Sequence, residues 1–98
     1  MTIIVDIDGT ICSIPEDEDY AKAEPHMDRI QRVNYFYETG NEVIYWTARG
    51  TETGIDWEAL TRKQLKDWGA QYSKLLFGKP YYNLWIDDKC MTAKDFFE

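Results

Sequence analysis

The stretch that most constrains the fold of this chain is Ile3-Ile4-Val5-Asp6-Ile7-Asp8-Gly9-Thr10. Its β-branched start predicts a short buried strand over 3–7, and Gly9 allows a sharp turn where that strand ends. Positions two apart on a strand point the same way, so Asp6 and Asp8 would present two like charges together. Adjacent carboxylates are costly unless a cation neutralises them, and the pair is therefore a candidate metal site.

The composition is that of one small globular domain. The chain has 98 residues, of which 44% are hydrophobic and 15% aromatic, and this is enough for a single core spanning residues 1–98. The aromatic residues are numerous for this length, which leaves room for exposed rings at a subunit contact. A homo-oligomer is accordingly one expectation.

The net charge of −7, with no cluster of basic residues, gives no sign of a nucleic-acid binding surface. No apolar run approaches the roughly 20 residues of a membrane span, and the N-terminus does not resemble a cleavable leader. Cys12 and Cys90 lack C-x-x-C spacing, which favours reduced thiols over a zinc site or a disulfide framework. We expect a cytoplasmic protein without a membrane partner.

The rest of the chain alternates between predicted helices and strands. Helices are predicted from Pro25 to the stop at Gly40, from an N-cap at Asp56 to the stop at Gly69, and as one capped turn over 92–98. Strands are predicted over 42–46, 75–77 and 82–86. This β-α-β-α-β-β order predicts an α/β three-layer sandwich around a small parallel sheet. The acidic segment 11–24 is either a solvated loop or a flap over a site.

Polar residues follow each predicted strand, at the edge of a parallel sheet where ligands bind. A hard cation such as Mg²⁺ takes oxygen ligands and binds substrate phosphate, and Asp6 and Asp87 could hold it. A carboxylate beside that ion can attack phosphorus, so Asp6 is a candidate nucleophile. Lys79 and the Thr47 hydroxyl would hold the phosphoryl oxygens. Asp8 could donate a proton to the leaving group and then activate water.

The candidate residues form three groups. The catalytic candidates are Asp6, Asp8, Thr47 and Lys79. The candidates for substrate binding are Gly9, Thr10, Ala48 and Arg49, the last because a guanidinium suits phosphate and polyol oxygens. The candidate metal ligands are Asp6, Asp8, Asp87 and Asp88.

These residues resemble the four motifs of the haloacid dehalogenase superfamily of phosphotransferases. Asp6-Ile7-Asp8-Gly9-Thr10 matches the first motif, Thr47 the second, Lys79 the third and Asp87-Asp88 the fourth. The resemblance implies a Rossmann-like sheet of order 3-2-1-4, an aspartyl-phosphate formed on the first carboxylate, and a second carboxylate acting as general acid and base. It also implies Mg²⁺ held by the first and fourth motifs. No insert is long enough for the cap domain of larger members.

Within that superfamily, the segments 77–80 and 85–89 resemble small phosphatases of capsular polysaccharide biosynthesis. The chain is therefore expected to be a Mg²⁺-dependent phosphomonoesterase acting on a small phosphate ester, such as a sugar phosphate. Residues 49–50 and 60–63 resemble polynucleotide 3′-phosphatases more distantly. Two alternatives stay open, a nucleic-acid 3′-phosphatase and a non-enzymatic phosphate-binding module on the same fold.

Overall fold

A three-stranded parallel sheet organises the protein, in a computed structural model that describes residues 1–98. The strands are β1 (Thr2–Val5), β2 (Glu42–Trp46) and β3 (Lys74–Leu76), in the order β1-β2-β3. β2 is central, and its register sets Val5 opposite Tyr45 on one side and Leu75 opposite Tyr45 on the other. All three strands therefore end at one edge of the sheet, where their following loops meet.

Three helices accompany the sheet. They are α1 (Met27–Glu38), α2 (Glu58–Asp67) and α3 (Ala93–Phe97). α1 connects β1 to β2, and α2 connects β2 to β3. Because both crossovers step in the same direction across the sheet, right-handed connections place α1 and α2 on the same face. Two short 3-10 turns, Glu16–Glu18 and Tyr20–Lys22, precede α1.

The hydrophobic core lies between that face and the helices. Val43 and Tyr45 of β2 are fully buried, and they pack in one cluster with Ile30 of α1 and Leu65 of α2. Residues that alternate with them along the strands point to the opposite face, where Ile4 is 61% exposed. The chain thus forms two layers, a sheet and its helices, instead of the predicted three. The short α3 does not cover the other face of the sheet, because it packs beside α1 through the Phe36–Phe96 ring contact.

Most predicted elements are confirmed, with shifts of one or two residues at their ends. The strand 42–46 is observed as predicted, and α1 ends just before Gly40, whose φ of +97° favours glycine. The N-cap of α2 is Trp57, one residue after the predicted Asp56, and the Asp56 side chain accepts a 2.9 Å hydrogen bond from the Glu58 amide. The Thr92 hydroxyl accepts one from the Asp95 amide and caps α3.

The prediction of a fourth strand over 82–86 is wrong for this structure, so the expected order 3-2-1-4 is observed only as 3-2-1. Only the five residues 77–81 separate β3 from that segment. A crossover between parallel strands of one sheet needs about a dozen residues. The segment forms no strand, and its residues take no part in the sheet.

No helix combines the length and the apolar character that crossing a membrane requires.

Candidate functional site

The first motif lies where β1 runs into a tight turn. Asp6 and Asp8 follow the last strand residue, and the Gly9 amide donates a 2.9 Å hydrogen bond to the Cys12 carbonyl. Gly9 has φ of +82°, a conformation that a side chain would strain, and a Cβ there would approach Ile14 to 3.0 Å. The turn therefore fixes both carboxylates at the carboxyl edge of the sheet.

Asp6 is paired with Lys79. The Lys79 ammonium lies 3.3 Å from Asp6 Oδ1, and the Thr10 hydroxyl lies 3.4 Å from Oδ2. The Lys79 backbone is held in place by its amide, which donates to the Thr47 carbonyl at 3.2 Å. Burial raises the pKa of Asp6, and the nearby Lys79 charge offsets part of that rise. The structure thus brings together the predicted nucleophile and the predicted phosphate-binding cation.

Asp8 is paired with Arg49 in a two-point ion pair. Arg49 Nε donates to Asp8 Oδ2 at 2.9 Å, and Nη2 donates to Oδ1 at 2.8 Å. The Arg49 side chain is fully buried, whereas Asp8 keeps a partly exposed edge. Such fork-like pairs fix the plane of the carboxylate as well as its position. Arg49 therefore orients Asp8 toward the open side of the site.

Arg49, which is predicted to grip the far part of a substrate, lines the cleft and is also held by several groups of the fold. Its Nη1 donates to the Thr61 hydroxyl at 3.0 Å and to the Gln64 amide oxygen at 2.6 Å. The Tyr20 ring covers its guanidinium at 4.7 Å. These groups and Asp8 take four of the five guanidinium N–H donors, so Arg49 holds Asp8 in place and keeps one Nη2 donor for a ligand in the cleft.

Sequence reasoning missed Tyr20, Thr61 and Gln64. Gln64 also donates to the Tyr20 carbonyl at 2.6 Å, which ties the segment before α1 to α2. The available signal was a polar residue on the otherwise apolar face of α2, a position that usually implies a buried hydrogen-bond partner. That partner could not be named without the fold.

Thr47 follows the end of β2 and is buried at the base of the site. Its Oγ1 accepts a 3.1 Å hydrogen bond from the Arg49 amide, and its own amide donates to the Leu76 carbonyl at 3.0 Å. Accepting one bond leaves the hydroxyl proton free to donate. Thr47 can therefore donate to an anion placed beside Asp6.

A cleft of about 250 Å³ opens over these residues. Asp6, Asp8, Thr47, Ala48 and Arg49 contribute to its floor. Its walls come from the segment 11–24 and the loop after β2: Ile14, Pro15, Glu18, Tyr20, Gly50, Glu52 and Thr53, with Tyr81 at one side. The 11–24 segment thus covers part of the site, as the flap interpretation predicts.

Gly9 and Thr10, predicted to bind substrate, are not among the residues that line the cleft. The Thr10 amide donates to the Ile7 carbonyl at 3.1 Å, so both of these backbone donors are used inside the turn. Ala48, by contrast, lines the cleft as expected. The two residues shape the turn that holds the carboxylates.

Asp87 and Asp88 are not brought to Asp6, contrary to expectation. Both are exposed, and the Lys89 amide donates to Asp87 Oδ1 at 3.3 Å. No group of three or more His, Cys, Asp or Glu side chains is placed to hold a metal ion. The side chains that one chain assembles therefore do not fit the predicted Mg²⁺ ligand set. The physical reason is the missing fourth strand, which would have carried Asp87 to the edge of the sheet.

The two cysteines are free thiols in different environments. Cys12 is buried, and its thiol lies 3.4 Å from Asp8 Oδ1. Burial, together with the Asp8 charge, raises the pKa of Cys12 to about 12, so it is a neutral hydrogen-bond donor to Asp8. Cys90 is exposed.

These features define a small α/β protein with a carboxylate-lined cleft at the carboxyl edge of its parallel sheet. No protein-family model matches the chain, and no curated protein matches it. Among solved structures, the chain is similar to the crystal structure of an MCSG target from Vibrio cholerae, at 26% sequence identity and a TM-score of 0.88. The match covers 98% of this chain and 86% of that one. The likeness therefore extends over nearly the whole fold.

Proposed function

We propose that this protein is a phosphomonoesterase of the haloacid dehalogenase type, acting through an aspartyl-phosphate on a small phosphate ester. The observation that carries the proposal is the pairing of a carboxylate and a cation at 3.3 Å, between Asp6 and Lys79, on the floor of a cleft. A nucleophile and a group that binds its phosphoryl target need this proximity.

In the proposed first step, Asp6 attacks phosphorus, an O–P bond forms, and the bond to the leaving oxygen breaks. Lys79 and the Thr47 hydroxyl stabilise the charge on the phosphoryl oxygens. Asp8 protonates the leaving oxygen. Its Oδ2 accepts only the Arg49 Nε bond, and this leaves a lone pair directed elsewhere.

In the second step, water attacks the phosphoryl group, Asp8 takes the proton of that water, and phosphate leaves as Asp6 is regenerated. The same carboxylate thus serves as acid and then as base. Mg²⁺ is the cofactor predicted from the sequence. When bound, the ion would offset the repulsion between Asp6 and the incoming phosphate, and of its predicted ligands one chain brings Asp6 and Asp8 to the cleft.

A small sugar phosphate is the proposed substrate class, because a cleft of about 250 Å³ suits a small ester. The formal net charge of −7 works against binding a nucleic-acid backbone. The walls supplied by the 11–24 segment and the loop after β2 would set the specificity in place of a cap.

The test is phosphate release from sugar phosphates, nucleotides and 3′-phosphorylated oligonucleotides, with Mg²⁺ and with chelator. We expect release from one sugar phosphate, a loss of more than about 10³-fold for Asp6→Asn, and a loss of about 10²-fold for Lys79→Ala. Asp28→Asn, which changes an exposed carboxylate at the start of α1, is the matched control and should retain activity.

Equal turnover by Asp6→Asn and the parent would overturn the mechanism. Preference for oligonucleotides would favour the 3′-phosphatase. Absence of release from every ester, with the fold intact, would favour the phosphate-binding module.

A further inference from the structure

The segment that follows Lys79 is unusual for its exposure. We call residues 81–92 the arm, and every residue of it is exposed. Its centre is apolar: Leu84 is 75% exposed and Ile86 is 86% exposed. Large apolar side chains grouped in this way on a soluble surface mark an interaction site.

A second unpaired feature is the outer edge of β1. β1 pairs only with β2, so the backbone groups along its other edge have no strand partner. Beside that edge, Ile4 points to the sheet face that no helix covers. An open parallel edge is a template for a further strand.

The arm of the same chain cannot add to this edge as a parallel strand in the register that sets Asp87 beside Asp6. The Lys79 amide bonds the Thr47 carbonyl, which lies level with Ile7 when the β1–β2 register is continued. A parallel strand that set Asp87 beside Asp6 would begin with Tyr82 beside Met1. That start is about 20 Å back along the sheet, at ~3.3 Å per residue. The three steps from Lys79 to Tyr82 span at most about 11 Å.

An antiparallel addition within one chain would avoid this distance, but it would carry Asp87 to the opposite edge of the sheet, away from the cleft. As part of a regular strand on β1, the arm can therefore bring Asp87 to Asp6 only when the arm and the edge belong to different copies.

We infer that two copies of this chain exchange arms, each placing Tyr82–Ile86 as a fourth parallel strand on β1 of the other. A two-fold exchange satisfies both open edges and covers both apolar arms at once. A second copy of the chain fits the open edge of β1 because its arm has the length and the apolar pattern of a strand. The arm also ends in the acidic pair that is missing from the sheet edge of each single chain. Each sheet would then have the order 3-2-1 followed by the partner's strand.

The exchange places Asp87 of the partner subunit about one strand spacing, ~5 Å, from Asp6. The cleft would thereby gain the carboxylate that one chain does not bring to it. This part of the inference rests on the proposed function, whereas the exchange itself rests on chain geometry alone.

The first experiment measures mass by light scattering across a concentration series of the full-length chain. We expect twice the 11.6 kDa of one chain. Asn83→Pro and Leu84→Pro each remove one backbone amide hydrogen from the arm. Adjacent amides of a strand point to opposite sides, so one of the two variants removes a hydrogen bond to β1 of the other copy. That variant should dissociate at concentrations where the parent is dimeric.

Neither arm amide makes a backbone hydrogen bond within one chain, so the proline variants should keep the parent's far-UV spectrum. Leu84→Ala is the matched control for the loss of the side chain, and Tyr35→Asp alters an exposed aromatic residue outside the arm. A parent that stays monomeric, or two proline variants that both stay dimeric, would overturn the exchange.

The second experiment mixes Asp6→Asn and Asp87→Asn chains, unfolds them together and refolds them. Each variant alone should be inactive. The mixture should recover about one quarter of the parent activity, because half of randomly paired dimers are mixed and half of their sites are intact. Mixed dimers without activity, or full activity of Asp87→Asn alone, would overturn the placement of Asp87. If the parent releases no phosphate, the proposed function fails while the mass measurement still decides the exchange.

Discussion

The two acidic motifs of this chain contrast in how they are held. Asp6 and Asp8 each have a specific basic partner, and the turn around Gly9 fixes their backbone. Asp87 and Asp88 lie in the exposed arm, where the Asp87 side chain bonds only to its neighbours in sequence. The contrast teaches that one half of the proposed site is preorganised by the chain's own packing. The packing of one chain does not bring the other half to the cleft.

The largest expected effect within the preorganised half comes from Arg49. Arg49→Ala should lower the free energy of unfolding by about 4 kcal/mol, because removing one member of a buried ion pair leaves the other uncompensated. Thr61 and Gln64 would lose their partner as well. Denaturant unfolding followed by tryptophan fluorescence measures the change.

The control for this prediction is Arg62→Ala, which removes another arginine–carboxylate pair, with Glu58. Arg62 is 49% exposed, and such surface pairs contribute less than about 1 kcal/mol. Equal losses for the two variants would show that the Arg49 network is no more important to the fold than a surface pair.

Features that depend on residues close together in the sequence could be predicted, and features that depend on tertiary packing could not. The strand 42–46 and the stops at Gly40 and Gly69 depend on neighbouring residues, and they were predicted well. The approach of Lys79 to Asp6 follows from a general property of parallel sheets. Both features could be argued without coordinates.

The partners of Arg49 could not be predicted, because they depend on how α2 is rotated against the sheet. The apolar pattern of 82–86 predicted a strand that the structure does not form. A hydrophobic pattern does not say which sheet, or which copy, a strand joins. The short connection 77–81 held that information, since a parallel crossover cannot be made with five residues.

Two glycines with similar backbone angles sharpen the comparison. Gly50 in the loop beside the cleft has φ of +81°, and Gly78 before the arm has φ of +79°. A Cβ on Gly50 would lie 2.1 Å from the Ile55 carbonyl oxygen, whereas one on Gly78 would meet nothing within 4 Å. Gly50→Ala should therefore cost about 3 kcal/mol and Gly78→Ala only about 1 kcal/mol, the cost of the left-handed backbone alone.

Thermal unfolding of the two alanine variants tests this difference at one pH and one protein concentration. Since both substitutions carry the same backbone penalty, the difference between them isolates the packing around the cleft. A cost for Gly78→Ala as large as that for Gly50→Ala would mean that the start of the arm is packed as tightly as the site.

The smallest expected effect is a pH-dependent gain in stability for Asp6→Asn. Burial raises the pKa of Asp6 above its ordinary 3.8, so the folded protein binds the proton of this carboxyl more tightly than the unfolded chain does. The parent therefore loses stability as pH rises through 3.8 to the folded pKa, and an amide at this position avoids the loss.

Unfolding in chelator should show variant and parent equal near pH 3. At pH 7 the variant should be more stable by less than about 1 kcal/mol, because the Asp6 side chain is 35% exposed. A variant less stable than the parent at pH 7 would mean that the ion pair with Lys79 outweighs the burial of the charge.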